Sequence, residues 1–305
     1  MHASPTPLTG PIRTALALSV PVAALAMIAS GAGVFVEATY ARETSNWAAQ
    51  ARGQDVVNLV VAYPALLALA WVAARGSVRA YLAWLGVMAY SAYSYLLYAG
   101  FLHFSAWFLV YVAVLGLSCA ALVVGLVSVS HTSLSAAVSE RAPTRAAGRV
   151  LIVMGVLFAL LWMSEIVPAA LDGGPLTSAA DAGLVTNPVY VLDLAVFLPA
   201  MVVVGALLIR RRPLALTLAL TLFGWGVVLG TAVIGMFVSM AMSGEELVVV
   251  PVVMMTVAVI VKAVVAGRLL GAVDPGVDLG ELTVEHVAAS ALERSGSARP
   301  DRQPA

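Results

Sequence analysis

The sequence predicts an all-α, polytopic membrane protein with eight transmembrane helices. Of its 305 residues, 62% are hydrophobic and only 10% are charged, whereas a soluble domain has about 45–50% apolar and about 25% charged residues. Apolar runs recur along the chain, and each is close to the ~20 residues that a helix needs to cross the hydrocarbon core. Arginines gather in alternate loops between these runs. Together, these features exclude an ordinary soluble globule and a disordered chain.

Eight apolar segments are predicted to be helices, because backbone polar groups in lipid must be paired within the segment. They cover residues 14–37, 56–74, 80–100, 106–128, 149–170, 188–209, 214–241 and 247–268. The first exceeds the ~7–15 apolar residues of a signal-peptide core. We therefore expect it to remain as a membrane span.

The chain divides into four predicted regions. They are a cytoplasmic N-terminal segment (1–13), a first four-helix half with its cytoplasmic loop (14–140), a second four-helix half (141–272) and a polar cytoplasmic tail (273–305). From Asp274 onward we expect the tail to be solvated, with room for a short helix around 282–294.

Arginine placement predicts the orientation. The arginines of the N-terminus, the even-numbered loops and the tail start are Arg13, Arg75, Arg79, Arg141, Arg145, Arg149, Arg210, Arg211, Arg212 and Arg268. The third, fifth and seventh loops contain no lysine or arginine, and the first loop contains Arg42 and Arg52, which are offset by Glu43 and Asp55. By the positive-inside rule, both termini are predicted to be cytoplasmic. A single lysine and abundant Ala, Val and Gly are typical of a GC-rich bacterium, so we expect the bacterial inner membrane.

Composition also limits the partners and cofactors. The net charge is zero, and binding to nucleic acid requires a basic face. The single cysteine, Cys119, excludes an internal disulfide and a zinc–thiolate site. The sequence contains no phosphate-binding loop and no His-Glu-x-x-His motif. The expected partners are the lipid bilayer and a small cationic solute or a proton; no cofactor is predicted, and the pattern does not specify a metal.

A possible internal repeat relates the two halves at an offset of 135 residues. Asn58 to Ala65 aligns with Asp193 to Ala200, which pairs Asn58 with Asp193 and Pro64 with Pro199. Arg75 aligns with Arg210 at the same offset. Four helices per half give both halves the same orientation, the parallel kind of repeat. The alternative is coincidence in an alphabet rich in Leu, Val and Ala.

The two aligned prolines predict irregular helices. Pro64 and Pro199 cannot donate to the carbonyls of Val60 and Ala195. Each helix is therefore expected to kink near Asn58 or Asp193. Irregular backbone at membrane depth survives when it is buried in protein or lines a wet cavity, although proline is also common in membrane helices for packing alone.

Acidic residues inside the spans are the clearest functional pointers. Asp193 and Glu165 are both predicted to lie near the outer end of their helices, so we expect them to line one outward-facing pocket. Such a pair could hold a proton, a metal ion or an organic cation. Asp55 is interpreted as an ordinary charge at a helix end, and Lys262 as a side chain that snorkels to the interface.

Further polar and aromatic residues are predicted to line the same pocket, although an aromatic belt at the interface is the alternative. They are Asn58, Tyr95, Tyr98 and His103. Aromatic faces could hold a cation.

Two stretches carry a resemblance. Gly53-Gln54-Asp55 leading into Pro64, and Asn187 to Asp193 leading into Leu198-Pro199-Ala200, resemble segments of bacterial multi-pass membrane proteins to which no activity is assigned. The resemblance spans most of the helical region and implies the architecture only.

The function predicted from these features is transport or binding of a small molecule or ion, a cation or a proton, through the acidic pocket. One alternative is an intramembrane enzyme that acts on a lipid-like substrate with the two acids. The other is a non-catalytic subunit of a membrane assembly.

Overall fold

The computed structural model describes residues 7–244, 249–284 and 286–288. All the regular secondary structure in these ranges is helical, and they contain no β-strand, which confirms the all-α prediction. The long helices are α1 (Gly10–Phe35, with a turn at Leu18), α2 (Ser45–Ala73), α3 (Val78–Phe101), α4 (Phe108–Ser128), α5 (Thr144–Asp172), α6 (Pro188–Ile209), α7 (Pro213–Met242) and α8 (Val249–Gly271).

Seven of these helices are long and apolar enough to cross a membrane; α3 is the exception. Serine and tyrosine lower its hydropathy, and 17 of its 24 residues are buried against other helices. A helix enclosed by protein does not need a lipid-soluble surface. Seven of the predicted spans are thus confirmed as membrane-capable helices, and an eighth span at α3 stays a prediction.

The start of α2 differs from the prediction. The helix begins at Ser45 rather than near 56, because the Thr44 side chain caps it by accepting a hydrogen bond from the Trp47 N–H at 3.2 Å. Its first turns are polar and were therefore not part of the apolar run. Asp55 consequently lies well inside the helix and not at its end.

Glycines let the central helices approach closely. α3 packs against α2, α4 and α7, and α7 packs against α2, α3 and α8. Gly86 of α3 faces Gly224 of α7 so closely that a Cβ atom on Gly86 would lie 2.6 Å from the Gly224 Cα. Gly53 of α2 meets the backbone of Gly235 in α7 in the same way.

A π-helical turn interrupts α2 and α6 just before the two prolines. The turns cover Asn58–Ala62 and Asp193–Phe197. In each turn the first carbonyl accepts a hydrogen bond from the N–H five residues later, that of Tyr63 or Leu198. π-Bulges of this kind are frequent at functional sites. Both turns begin with a buried polar residue, Asn58 in one and Asp193 in the other.

The chain after α8 is not solvated as predicted. Residues 273–284 lie across the loops at the arginine-rich end of the bundle, where Leu279 and Leu282 are buried. The Leu279 N–H donates to the Gly76 carbonyl at 2.8 Å, and Arg79 donates to the Val273 carbonyl at 2.6 Å. Apolar residues spaced among the polar ones explain this packing. Residues 284 and 286–288, within the helix predicted around 282–294, are helical. Residues 285 and 289–294 lie outside the described residues, as do residues 1–6 of the predicted N-terminal segment.

Candidate functional site

The two ends of the bundle differ in their number of arginines, and we call them the arginine end and the opposite end. The arginine end carries Arg13, Arg75, Arg79, Arg145, Arg149, Arg210, Arg211, Arg212 and Arg268. The opposite end carries the loops 36–44, 102–107 and 173–187. Buried polar side chains form two separate clusters between these ends, one around Asp193 and one around Asp55.

Asp193 of α6 is buried where α6 packs against α3 and α5. Only 6% of the residue is exposed. One carboxylate oxygen accepts a hydrogen bond from the Tyr93 hydroxyl at 3.2 Å, and the other accepts one from the Trp162 indole N–H at 3.0 Å. Both donors are neutral groups that stabilise a carboxylate.

Aromatic rings enclose Asp193 on the side of α7. The Tyr93 ring meets Phe197 edge-on at 4.9 Å and Trp225 at 5.5 Å between centroids, and Phe197 stacks on Trp225 at 4.4 Å. The indole N–H of Trp225 is buried without a hydrogen-bond partner among the described residues. The carboxylate therefore sits in surroundings that are largely apolar.

Lys262 of α8 is buried near this cluster. Only 7% of the residue is exposed, and its ammonium nitrogen lies 5.5 Å from the centre of the Phe158 ring. Gly226 makes room for the side chain, since a Cβ atom there would lie 3.0 Å from the Lys262 Nζ. The snorkelling predicted for Lys262 is therefore wrong, because the side chain turns into the bundle.

Lys262 and Asp193 interact through space. The positive charge of Lys262 acts on the Asp193 carboxylate. Within the described residues, the two groups do not form a direct ion pair, since the single ion pair found there joins His103 to Glu43. They are opposite buried charges with a gap between them.

Glu165 lies beside this cluster but does not contact Asp193. Its carboxylate accepts hydrogen bonds from the Ser178 N–H at 2.8 Å and from the Tyr190 hydroxyl. The Tyr190 ring packs on Trp162 at 4.6 Å, and Trp162 in turn donates to Asp193. The two acids predicted to share a pocket are thus connected by an aromatic pair, and they do not hold one ligand between them.

The best-defined cavities in the described part of the chain lie away from Asp193 and Glu165. The three best-defined cavities all lie at the arginine end, and neither Asp193 nor Glu165 lines any of them. The same ranges contain no group of three or more His, Cys, Asp or Glu side chains that could hold a metal ion. The outward-facing pocket predicted from the sequence stays a prediction.

Asn58, Tyr95 and Tyr98 belong to the other cluster. Asn58 accepts a hydrogen bond from the Tyr90 hydroxyl at 2.7 Å and donates to the Ser30 hydroxyl at 3.2 Å. Tyr95 donates to the Ala26 carbonyl at 3.2 Å. Tyr98 donates to the Asp55 carboxylate at 3.0 Å. These three residues therefore do not line the Asp193 site.

Asp55 is the buried acid that sequence reasoning missed. It is fully buried, and its second carboxylate oxygen accepts a hydrogen bond from the Tyr40 hydroxyl at 2.5 Å. Burial raises the pKa of Tyr40 well above its usual range, and the adjacent Asp55 raises it further, so this hydroxyl stays neutral and able to donate. The Thr44 cap before Ser45-Asn46-Trp47 is the sequence signal that could have placed Asp55 within α2.

His103 belongs to neither cluster. Its Nδ1 lies 2.9 Å from the Glu43 carboxylate, and its side chain is 54% exposed. Arg42 also binds this loop by donating to the Phe104 carbonyl at 2.8 Å. These contacts hold the loop between α3 and α4 onto the loop between α1 and α2, which closes the opposite end of the bundle.

Comparison with known proteins adds nothing to this geometry. No protein-family model matches the chain, and neither a curated protein nor a solved structure matches it. The resemblance to bacterial multi-pass membrane proteins stays a prediction, and the functional argument rests on the residues described above.

Proposed function

We propose that this chain is a bacterial membrane protein that binds and transports a proton or a small cation at Asp193. The observation that carries the proposal is the buried, non-contacting pair of Asp193 and Lys262. Charged side chains within membrane helices are costly, and they commonly mark ion pathways and proton relays. Asp193 also opens a π-helical turn, where the backbone departs from regular helix.

The surroundings of Asp193 and Lys262 allow the Asp193 carboxylate to bind and release a proton or a cation. Tyr93 and Trp162 stabilise the carboxylate form of Asp193, and Lys262 balances its charge. Since the two charges do not touch, a proton or cation that binds the carboxylate meets no direct lysine hydrogen bond that must first be broken.

Glu165 links the Asp193 cluster to the side of the opposite end of the bundle. Glu165 is partly exposed and binds Tyr190, whose ring packs on Trp162, and Trp162 binds Asp193. The acid near the surface and the buried acid are thus joined through two side chains. In this proposal Glu165 attracts the cation and Asp193 receives it.

The architecture that goes with this function has eight spans and both termini in the cytoplasm. The 24 residues of α3 reach about 36 Å at 1.5 Å per residue, which exceeds the ~30 Å hydrocarbon core. With α3 counted, nine arginines fall at the arginine end against Arg42 and Arg52 toward the opposite end, and the positive-inside rule makes the arginine end cytoplasmic.

A parallel 4+4 repeat is part of the proposal. Its support is that the π-helical turns begin at residues 135 positions apart, Asn58 and Asp193, and precede the aligned Pro64 and Pro199. Two π-helical turns at equivalent positions are less probable by chance than two matching apolar residues, because Leu, Val and Ala are abundant throughout the spans. Each half would then carry one buried polar cluster at its π turn.

A thermal-stability screen tests binding at Asp193. The purified protein is heated in detergent over a range of pH and with Na⁺, K⁺, Mg²⁺, Zn²⁺ or tetramethylammonium. A ligand that binds only the folded state raises the unfolding midpoint by mass action. We expect a pH- or cation-dependent shift in the wild type that is absent in Asp193→Asn.

Asp172→Asn is the matched control, because Asp172 is exposed at the end of α5; it should keep the wild-type shift. If the wild type and Asp193→Asn give identical flat profiles, the binding proposal is wrong and a purely structural role takes its place.

A further inference from the structure

Among the residues that the structure describes, Asp55 lies in a cluster that contains no positively charged side chain, whereas the Asp193 site contains Lys262. Both carboxylate oxygens of Asp55 accept tyrosine hydroxyls, from Tyr98 at 3.0 Å and from Tyr40 at 2.5 Å. Asn58 lies one turn further along α2 and binds Tyr90 and Ser30. A fully buried acid is therefore held by neutral hydroxyl and amide groups.

The ionisable side chains around Asp55 are almost all tyrosines. Six tyrosines of α2, α3, α4 and the loop after α1 interact electrostatically or by hydrogen bonds with Asp55. They are Tyr40, Tyr63, Tyr90, Tyr95, Tyr98 and Tyr111. α7 contains no acidic, basic, histidine or tyrosine residue, and the single ionisable residue of α1, Arg13, lies at the far end of the helix.

The nearby charged residues are engaged elsewhere or do not pair with Asp55. Glu43 binds His103, and Arg42 binds the Phe104 carbonyl. Arg52 lies one turn before Asp55 on α2, but within the described residues it forms no ion pair with it. Asp55 thus has no compensating cation of the kind that Lys262 provides for Asp193.

A carboxylate without a counter-charge is strongly disfavoured in a low-dielectric interior. The cost is removed when a cation or a proton binds. The packing favours a proton, because a methyl group added at Gly33 would overlap the Asp55 carboxylate. Both oxygens are also occupied by tyrosine hydroxyls, which leaves a metal ion without free ligands on this group.

We propose that Asp55 is a second proton-binding site that carries a proton in the folded protein. The protonated carboxyl oxygen then donates to its tyrosine neighbour, Tyr40 or Tyr98, whose hydroxyl oxygen accepts that proton while the other tyrosine continues to donate to the second carboxyl oxygen, and the proton is exchanged through these hydroxyls. Two further buried polar side chains, those of Gln54 on α2 and Ser94 on α3, lie beside Tyr90. They extend the polar region around Asp55 between these two helices. The inference does not depend on transport at Asp193.

Infrared spectroscopy of the reconstituted protein at neutral pH tests the inference. A protonated carboxylic acid has a carbonyl stretching band that a carboxylate lacks, and exposed acids are ionised at this pH. We expect such a band in the wild type and in Asp193→Asn, and its complete loss in Asp55→Asn. The inference is wrong if the wild type has no such band, or if Asp55→Asn retains it unchanged.

A second pair of variants keeps the test informative if Asp55→Asn does not fold. Tyr98→Phe removes a hydrogen bond from the carboxyl group, so the band should move to higher frequency. Tyr95→Phe is the matched control, because Tyr95 donates to the Ala26 carbonyl and not to Asp55. An identical band position in the wild type and Tyr98→Phe contradicts the assignment to Asp55. Neither outcome depends on the thermal-stability screen, so the two proposals can fail separately.

Discussion

Replacing Lys262 with methionine should destabilise the folded bundle by about 3 kcal/mol, because the Asp193 carboxylate then remains buried without its cation. Methionine keeps the length and apolar contacts of the lysine stem beside Gly226 and Phe158. The loss of folding stability therefore measures the effect of removing the positive charge and not the effect of creating a cavity. The free energy of unfolding can be followed through tryptophan fluorescence, since Trp162 and Trp225 lie in the affected cluster.

A double variant shows whether Asp193 and Lys262 stabilise each other electrostatically or contribute to stability independently. In Asp193→Asn/Lys262→Met neither charge is buried, so we expect the double variant to be more stable than the sum of the two single losses implies. Arg268→Met is the control on the same helix, because Arg268 is exposed; it should have little effect. Strictly additive losses would show that Lys262 and Asp193 act separately.

Adding a single methyl group to Gly86 is the second change with a large expected effect. In Gly86→Ala the new Cβ atom would lie 2.6 Å from the Gly224 Cα and 2.9 Å from its carbonyl carbon. A backbone cannot rotate away as a side chain does, so α3 and α7 must separate. We expect a loss of about 2 kcal/mol, within the range for overpacked cores.

Gly100→Ala provides a close comparison on the same helix. Apart from the neighbouring backbone of its own helix, no atom lies within 4 Å of the position that a Cβ atom on Gly100 would take. Alanine has a higher helix propensity than glycine, so this variant should be as stable as the wild type or slightly more stable. If thermal unfolding shows equal midpoints for both variants, the close contact between α3 and α7 is not as described.

Much of the fold is predictable from the sequence because lipid imposes a simple rule. Any helix that faces hydrocarbon must be apolar over its length, and seven of the predicted segments follow that rule. α3 is less apolar because other helices surround it. The start of α2 was missed because its polar first turns lie among protein groups and the loops of the opposite end.

The candidate site was predictable only in part. Asp193 and the two prolines were recognisable because acids and prolines are rare inside spans. Asp55 was misread because an error of eleven residues at the start of α2, 45 instead of 56, turns a buried position into a helix end. Lys262 was misread because its burial depends on Gly226 in another helix, a contact that one sequence does not reveal.

The tail shows the same limit of local patterns. Its composition is polar, and solvation was therefore predicted. Leu279 and Leu282 are nevertheless buried, and the backbone of this segment bonds to the loops after α2 and α4. The burial of a few apolar residues against the bundle thus decides where this segment lies, although the average composition of the segment is polar.

Proton flux through reconstituted liposomes tests the central claim most directly. Liposomes that contain the protein and a trapped pH-sensitive dye are given a potassium diffusion potential with valinomycin, and the initial rate of internal pH change is recorded. The account predicts a rate well above that of empty liposomes for the wild type and for Asp172→Asn, and a rate equal to that of empty liposomes for Asp193→Asn. A wild-type rate no higher than that of empty liposomes, or an undiminished rate in Asp193→Asn, would contradict proton transport at Asp193.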